Sequence, residues 1–163
     1  MTLQKRIYRM LRNARWKVVG RLLRSECKTV LDIGCQEMFY YDRMKKKYDV
    51  TLADYEPLHP NIKEEDVQNL SFKDKSFDIV LCQEVLEHVP NPVQAMKELK
   101  RVAKKQLIIS VPFEPYFTLF RGLSWEKEHF WAVTPAILKF HLGKPKFERT
   151  MVFRRYYVVV WEF

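Results

Sequence analysis

Residues 76–92 of the chain read SFDIVLCQEVLEHVPNP, and this stretch decides the fold. Its centre, Ile79-Val80-Leu81, is apolar without alternation, which is typical of a parallel strand covered by helices on both faces. We therefore predict a buried strand at residues 77–82, followed by a helix at residues 92–102. One face of that helix carries its apolar residues, Val93, Met96, Leu99 and Val102.

The same alternation of strands and helices continues in both directions along the chain. Further strands are predicted at residues 29–33, 49–53 and 106–111 and near Ile62, and a further helix at residues 38–47. Thr134-Pro135 predicts a helix start and Gly143 its end, and two β-rich runs follow at residues 147–153 and 156–162. This order predicts an α/β fold with a doubly wound, mostly parallel sheet, closed by a C-terminal antiparallel hairpin.

The net charge of +9 is concentrated at the N-terminus. Residues 1–28 contain nine basic side chains and one acid, whereas the remainder is nearly neutral. Apolar residues recur there at steps of three and four, which predicts a basic amphipathic helix at residues 3–24 with its arginines on the opposite face. Three interpretations of the basic face stay open: a solvated surface, a contact with nucleic acid, or a contact with an anionic membrane surface.

Composition argues against several classes of protein. No apolar run approaches the roughly 20 residues of a membrane span, and the N-terminus lacks the apolar core of a signal peptide, so we expect a cytoplasmic protein. The cysteines, Cys27, Cys35 and Cys82, show neither Cys-x-x-Cys spacing nor a nearby histidine in a ligand pattern. We therefore expect buried, reduced thiols and no metal site or disulfide framework.

Polar residues stand where the predicted strands end, and ligands of a parallel sheet bind beyond those carboxyl ends. Asp32 and Gly34 follow the first strand, Asp54 follows the second, and Asp66 and Gln83 lie on either side of the strand at residues 77–82. An acid after the second strand suits ribose hydroxyls, and a glycine at the first turn allows close approach of a ligand to the backbone. An aspartate at a strand end is also a common loop cap, so each signal alone is weak.

Together these motifs resemble the class I S-adenosylmethionine-dependent methyltransferases, most closely the type-11 group. The resemblance covers residues 28–142. It rests on VLDIGC (30–35), LAD (52–54), the stretch from LSF (70–72) to SFDIV (76–80), and EVLEHVPNP (84–92). It implies a Rossmann-like fold, S-adenosylmethionine as the cofactor, and methyl transfer. The expected layout is one domain, residues 1–163: an N-terminal helix (1–27), a cofactor-binding core (28–112), an aromatic lid or substrate segment (113–133), and a closing helix and hairpin (134–163).

The resemblance also implies roles for matching residues. Asp32 would anchor the methionine end of the cofactor, largely through its amino group, and Asp54 would hold the ribose hydroxyls. Asp66 would receive the adenine amino group beside the Val67 backbone. The full predicted cofactor-binding set is Asp32, Gly34, Cys35, Asp54, Tyr55, Asp66, Val67 and Gln83.

One departure from the family concerns the turn after the first strand. The family has further glycines where this chain has Gln36 and Met38, and Glu37 adds a negative charge between them. Either the turn has shifted and binding survives, or the domain has lost the cofactor. We favour retained binding because the three aspartates at the strand ends remain.

The sequence signals for the residues around the methyl acceptor are weaker than those for the cofactor. Gln83 would line the pocket near the sulfonium, and Glu87 and His88 are expected to brace the segment beyond it. His129 is the candidate catalytic base, with a packing or capping role as the alternative. It lies in the aromatic segment at residues 113–131, which we expect to cover the pocket or to form a second core.

These signals predict methyl transfer to a small-molecule acceptor, since a chain of this length leaves little room for an extra substrate domain. Methyltransferases that act on adenine or on glutamine amides carry an Asn-Pro-Pro-Tyr-type tetrapeptide after the fourth strand. This chain has Cys82-Gln83-Glu84-Val85 there, so methylation of that kind is not expected. Two alternatives stay open. One is an RNA- or lipid-directed methyltransferase that uses residues 3–24, and the other is an inactive methyltransferase-like binding domain.

Overall fold

A computed structural model describes residues 3–36, 38–113, 130–151 and 156–163 of the chain. Within these residues, seven strands form one sheet in the spatial order β3-β2-β1-β4-β5-β7-β6. The strands are β1 (Thr29–Ile33), β2 (Asp49–Asp54), β3 (Lys63–Glu64), β4 (Phe77–Gln83), β5 (Ala103–Pro112), β6 (Phe147–Met151) and β7 (Tyr156–Glu162). The helices are α1 (Leu3–Leu22), α2 (Tyr41–Met44), α3 (Pro92–Val102) and α4 (Pro135–Leu142), with a 3-10 helix at Leu86–His88.

The strand order reverses between β1 and β4. β1 pairs in parallel with β2 on one side and with β4 on the other, so that Ile33 lies beside both Ala53 and Cys82. The carboxyl ends of β1, β2 and β4 therefore meet at one edge of the sheet, which we call the carboxyl edge. Such a switch point is where open α/β sheets bind their ligands.

The C-terminal hairpin closes the other half of the sheet, as predicted. β7 pairs antiparallel with β5 from Gln106↔Glu162 to Pro112↔Tyr156, and β6 pairs antiparallel with β7. β7 is buried along nearly its whole length because it lies between two strands. The predicted continuation of β6 over residues 152–153 lies outside the described residues.

Helices cover both faces of the sheet, as the non-alternating strands indicate. Leu31 and Val80 pack on the face covered by α3 and α4, together with Leu99 and Leu138. Val30 and Ile79 pack on the opposite face with Val19 of α1. Burying one such side chain contributes about 2 kcal/mol to the free energy of folding. The helices on both faces therefore stabilise the sheet by covering its apolar side chains.

Local capping explains why α3 and α4 begin where they do. The Asn91 side chain accepts a hydrogen bond from Gln94 N at 3.0 Å, and the Thr134 side chain accepts one from Ile137 N at 3.3 Å. A proline occupies the first turn of each helix, and Gly143, with φ 88°, ends α4. The predicted start and end of α4 are therefore confirmed.

The predicted helix at residues 38–47 is wrong in extent, because α2 spans only Tyr41–Met44. Met38 has φ 56°, which a right-handed helix cannot contain. The turn after β1 therefore continues to residue 40, and the chain forms one short helical turn before β2.

The predicted orientation of the N-terminal helix is correct only in part: Leu11 is buried and Val18 and Leu22 pack against the core, while Arg6, Arg9 and Arg21 are exposed. We expected its arginines on the outer face, yet Arg12 and Arg15 of α1 are buried, whereas Leu3, Ile7 and Met10 are exposed. The helix turns this side inward because the folded chain supplies partners for both guanidinium groups, as described below.

Candidate cofactor site

Two buried polar side chains at the carboxyl edge lack hydrogen-bond partners. Asp32 pairs with Leu81 in the parallel register of β1 and β4, and Gln83 stands two residues after Leu81. Side chains two residues apart on a strand point to the same face, so Asp32 and Gln83 share one face of the sheet. Their exposed fractions are only 3% and 6%. Within the described chain, neither Asp32 Oδ2 nor either polar atom of the Gln83 amide has a hydrogen-bond partner. Buried polar groups are almost always hydrogen-bonded, so this pair indicates a place for a ligand.

The charge of Asp32 is set by its surroundings. Burial raises the pKa of this carboxyl to about 7, against the opposing effect of Arg12 and Arg15, while Asp54 adds to the rise. The carboxyl is therefore close to half-ionised at neutral pH. A bound cation would shift it to the carboxylate form.

Arg15 connects α1 to the carboxyl edge. Its Nη1 lies 3.2 Å from Glu84 Oε1, and its Nε donates to the Tyr40 hydroxyl at 3.3 Å. Burial alone would lower the pKa of Arg15, but Glu84, Tyr40 and Tyr156 together hold it above its usual range. Glu84 also accepts a hydrogen bond from Ser110 Oγ at 2.8 Å, which links α1, β4 and β5.

Arg12 lies on the same side of α1. Its guanidinium carbon lies 4.3 Å from the centroid of the Phe39 ring, and the Tyr40 hydroxyl donates to the Arg12 carbonyl oxygen at 3.3 Å. Neither arginine is among the residues predicted from the sequence for this edge. Their spacing does not differ from that of arginines on a solvated helix face, so no signal in the sequence distinguishes them.

The turn after β1 keeps a left-handed backbone at all three of its glycine-like positions. The φ angles are 78° at Gly34, 49° at Gln36 and 56° at Met38. Gln36 and Met38 therefore stand in a left-handed backbone, which L-residues adopt at a cost. Gln36 is exposed, while Met38 packs against the small cluster of Cys35, Leu52 and Ile62.

Gly34 is required for packing. A Cβ at this position would stand 2.1 Å from Val85 Cγ2, and its φ already favours glycine. The Gly34 backbone N–H donates to Ala53 O at 2.9 Å, which connects the turn to the end of β2.

Asp54 stands at the end of β2 and organises the turn. Its Oδ2 accepts a hydrogen bond from Gln36 N at 2.7 Å, and its Oδ1 accepts one from Glu56 N at 3.2 Å. A carboxylate has further acceptor positions beyond these two, so it can still take hydroxyl donors. The neighbouring Tyr55 is 68% exposed and is available to a ligand at this edge.

Asp66 and Val67 lie in the loop after β3. Asp66 Oδ1 accepts from Gln68 N at 2.8 Å and from Gln68 Nε2 at 3.1 Å. Gln68 Oε1 in turn accepts from Asn91 N at 2.8 Å, which fixes the loop to the start of α3. Val67 is buried in the larger core cluster, so only its backbone could face a ligand.

Cys35 is placed for packing. Its side chain is buried against Leu52 and Ile62, and burial raises the pKa of its thiol to about 12, with Asp32 and Asp54 adding to the effect. The thiol is therefore protonated at neutral pH and is not a nucleophile. Among the described residues, no group of three His, Cys, Asp or Glu side chains could hold a metal ion.

The segment after β4 forms hydrogen bonds with two aromatic residues, Phe130 and Trp131. The Glu87 carbonyl oxygen accepts from Phe130 N at 2.8 Å and from Trp131 N at 3.4 Å. Trp131 Nε1 also donates to Pro90 O at 3.2 Å. His88 lies beside Glu87, with 3.9 Å between Nε2 and Oε1, and the predicted base His129 lies outside the described residues.

Comparison with known proteins identifies the family. Residues 30–110, which contain the carboxyl edge, match the family described as "Methyltransferase domain". The chain belongs to the class I methyltransferases. The methyl donor of this family is S-adenosylmethionine.

Two similar proteins illustrate the relationship. The tRNA U34 carboxymethyltransferase of Nautilia profundicola is 29% identical over 102 residues, which cover 53% of this chain and 34% of that protein. The ubiquinone biosynthesis O-methyltransferase of Coxiella burnetii is 24% identical over 110 residues, covering 58% and 47%. The chain thus spans less than half the length of either relative.

A solved structure supports the fold. A SAM-dependent methyltransferase from Archaeoglobus fulgidus superimposes with a TM-score of 0.74 at 16% identity, covering 95% of this chain and 94% of that one. The Rossmann-like methyltransferase fold expected from the sequence is therefore confirmed.

The residues at the carboxyl edge of this chain fit S-adenosylmethionine. Its cationic α-amino group suits the buried Asp32 carboxyl, whose Oδ2 lacks a partner. The Gln83 amide offers a donor and an acceptor on the same face of the sheet.

Proposed function

We propose that this chain holds S-adenosylmethionine at the carboxyl edge and transfers its methyl group to a small-molecule acceptor. One observation carries the proposal: Asp32 and Gln83 are buried on one face of adjacent strands with no partner for Asp32 Oδ2 or the Gln83 amide within the described residues. Two orphaned polar side chains of this kind would destabilise the fold if nothing bound there.

Each residue of the site has a proposed task. Asp32 binds the amino group of the cofactor, and Arg12 and Arg15, whose charges act on Asp32, suit the carboxylate at the same end. Asp54 takes the ribose hydroxyls, with Tyr55 beside it. Asp66 takes the adenine amino group, with the Val67 backbone beside it, and the Gly34-Cys35 backbone lines the turn.

The bound cofactor supplies an electrophilic methyl group on a sulfonium. The chain's own contribution is to position donor and acceptor in line and to exclude water. Gln83 lies at the end of β4 on the face of Asp32, where its amide can orient the reacting end of the site. His129 remains the proposed base for an acceptor hydroxyl.

Aromatic side chains favour a planar acceptor. Phe130 and Trp131 are exposed, yet their backbone N–H groups bond to Glu87 O just beyond β4. Exposed aromatic faces held in a fixed position suit stacking on an apolar or planar small molecule. RNA is the second candidate acceptor, because a relative acts on tRNA by its name and the N-terminal helix is basic.

Titration calorimetry with S-adenosylmethionine and its demethylated product tests the cofactor site. The chain is expected to bind both, and Asp54→Ala is expected to weaken binding at least 30-fold, about 2 kcal/mol. Asp49→Ala is the matched control, because Asp49 is exposed at the opposite end of the same strand. The proposal would be overturned if the chain bound neither compound. It would also be overturned if a folded Asp54→Ala protein bound them with unchanged affinity.

Formation of the demethylated product tests the acceptor. A panel of phenols and other small planar compounds is compared with transfer RNA under the same conditions. Turnover with a small compound supports the proposal, whereas turnover with RNA alone assigns the second candidate. His129→Gln is expected to lower turnover while leaving cofactor affinity unchanged.

A further inference from the structure

The first turns of α1 extend beyond the body of the fold. The side chains of Leu3, Ile7, Tyr8 and Met10 are all exposed, with exposed fractions of 74% for Leu3 and 61% for Met10. The helix begins to bury apolar residues only at Leu11. Several large apolar side chains on one helix end are therefore left in water.

Basic side chains line the same end of the helix. Arg6, Arg9 and Lys17 border a shallow groove along α1 whose floor includes Met10 and Ala14. Within the described residues, none of these three cations forms an ion pair. An exposed apolar strip thus runs beside unpaired positive charge on one helix.

We infer that α1 docks on an anionic lipid surface, with its apolar strip in the interface and its cations on the headgroups. Helices that combine large apolar residues with a Lys- and Arg-rich face lie in the plane of the membrane interface. Among the described residues, no helix is long and apolar enough to cross a bilayer, so α1 lies on the surface. The opposite side of α1 carries Arg12 and Arg15 to the carboxyl edge, so docking leaves that side on the protein.

The charged and apolar side chains of α1 together favour an anionic lipid surface over two other partners. A second copy of the chain would bring the Arg6 and Arg9 clusters together, and their repulsion opposes that contact. RNA would neutralise the cations but would leave Leu3, Ile7 and Met10 in water, because phosphates offer no apolar cover. Only an anionic lipid surface satisfies both the charged and the apolar side chains.

Vesicle flotation of the full chain tests the inference. Vesicles of phosphatidylcholine alone are compared with vesicles containing phosphatidylserine, at low and moderate salt. The native chain is expected to float with the anionic vesicles, and less so as salt rises. Each cation near the surface contributes a factor of about five, so Arg6→Gln with Arg9→Gln should weaken partitioning about 25-fold.

Two further variants separate the apolar and charged contributions. Ile7→Gln with Met10→Gln is expected to reduce flotation at unchanged net charge, because glutamine keeps the helix but removes the apolar strip. The matched charge control is Lys97→Gln with Lys104→Gln, two exposed lysines away from α1, and it should float like the native chain. Unchanged melting temperatures show that the variants fold.

Other outcomes overturn the inference. These are equal flotation with neutral and anionic vesicles, no flotation with either, or native-like flotation of the Ile7/Met10 variant. Tighter binding to an RNA oligonucleotide that the Ile7/Met10 variant retains would assign the surface to nucleic acid. A dimer in sedimentation that the Met10 substitution abolishes would assign it to a second copy. Cofactor calorimetry reports separately on the methyltransferase site, so the two failures can be told apart.

Discussion

Arg15 of α1 and Glu84, just beyond β4, form an ion pair of 3.2 Å between side chains that are both largely buried. The pair joins the N-terminal helix to the switch point of the sheet. Glu84 adopts a left-handed φ of 56°, and its backbone N–H donates to Ser110 O at 2.9 Å. The position of α1 therefore depends on a turn at the carboxyl edge.

Breaking this pair is expected to destabilise the fold. Arg15→Met leaves the Glu84 carboxylate without its guanidinium partner, which should lower the free energy of unfolding by about 3 kcal/mol. Urea denaturation measures the change. Arg9→Gln, on the exposed side of the same helix, is the control and should stay within about 0.5 kcal/mol. A loss below about 1 kcal/mol in Arg15→Met would show that the pair does not hold α1.

Asp32 should make stability depend on pH. Its pKa is about 7 in the folded chain against a usual 3.8, so the folded state binds the proton more tightly. The contribution to stability is fully present below about pH 4 and is lost as pH rises through 7. Asp32→Asn should therefore exceed the native chain in stability at pH 8, on the order of 3 kcal/mol, and match it near pH 4. Denaturation curves that stay parallel across this range would contradict the assignment.

Cofactor affinity should follow the same titration in the opposite direction. If Asp32 binds the α-amino group as a carboxylate, affinity rises with pH until the carboxyl is ionised, and it levels off above about pH 8. With a pKa of about 7, affinity at pH 6 should be about tenfold weaker than at pH 8. Calorimetry at the two pH values measures this ratio. Asp32→Asn should bind weakly at both, and an unchanged ratio in that variant would assign the titration to another group.

Gly34 should tolerate no side chain. Gly34→Ala brings a Cβ to 2.1 Å from Val85 Cγ2, and we expect a loss of more than about 3 kcal/mol in the free energy of unfolding. Gly143→Ala is the matched control, since Gly143 also has positive φ but no atom within 4 Å, and it should lose about 1 to 2 kcal/mol. Adding Val85→Ala to Gly34→Ala should restore part of the loss. No restoration would mean that φ alone requires the glycine.

Restoring glycine at Gln36 should stabilise the chain. Gln36 is exposed at φ 49°, a conformation that L-residues adopt at a cost, so Gln36→Gly should gain about 0.5 to 1 kcal/mol. Met38→Gly should instead lose about 1 kcal/mol, because Met38 packs against Leu52 and Ile62. Thermal unfolding of both variants tests the pair. Stabilisation by both, or by neither, would contradict this assignment of strain and packing.

The strands and the later helices could be predicted because their signals are local. Ile79-Val80-Leu81 is apolar on both sides wherever it folds, and Thr134 with Gly143 defines a helix by its own backbone hydrogen bonds and φ angle. The meeting of Asp32 and Gln83 also followed from the sequence, because parallel strands bring their carboxyl ends to one edge. The roles of these side chains toward the cofactor stay predictions.

The orientation of α1 was decided only by the tertiary structure. The sequence predicted a basic helix at residues 3–24 with its arginines opposite the apolar stripe, and the structure forms this helix at Leu3–Leu22 with Arg12 and Arg15 buried. Arg15 is buried because Tyr40 and Glu84, distant in sequence, offset the loss of its hydration. Leu3, Ile7 and Met10 are exposed together with Arg6 and Arg9, because the described chain covers α1 only from Leu11 onward.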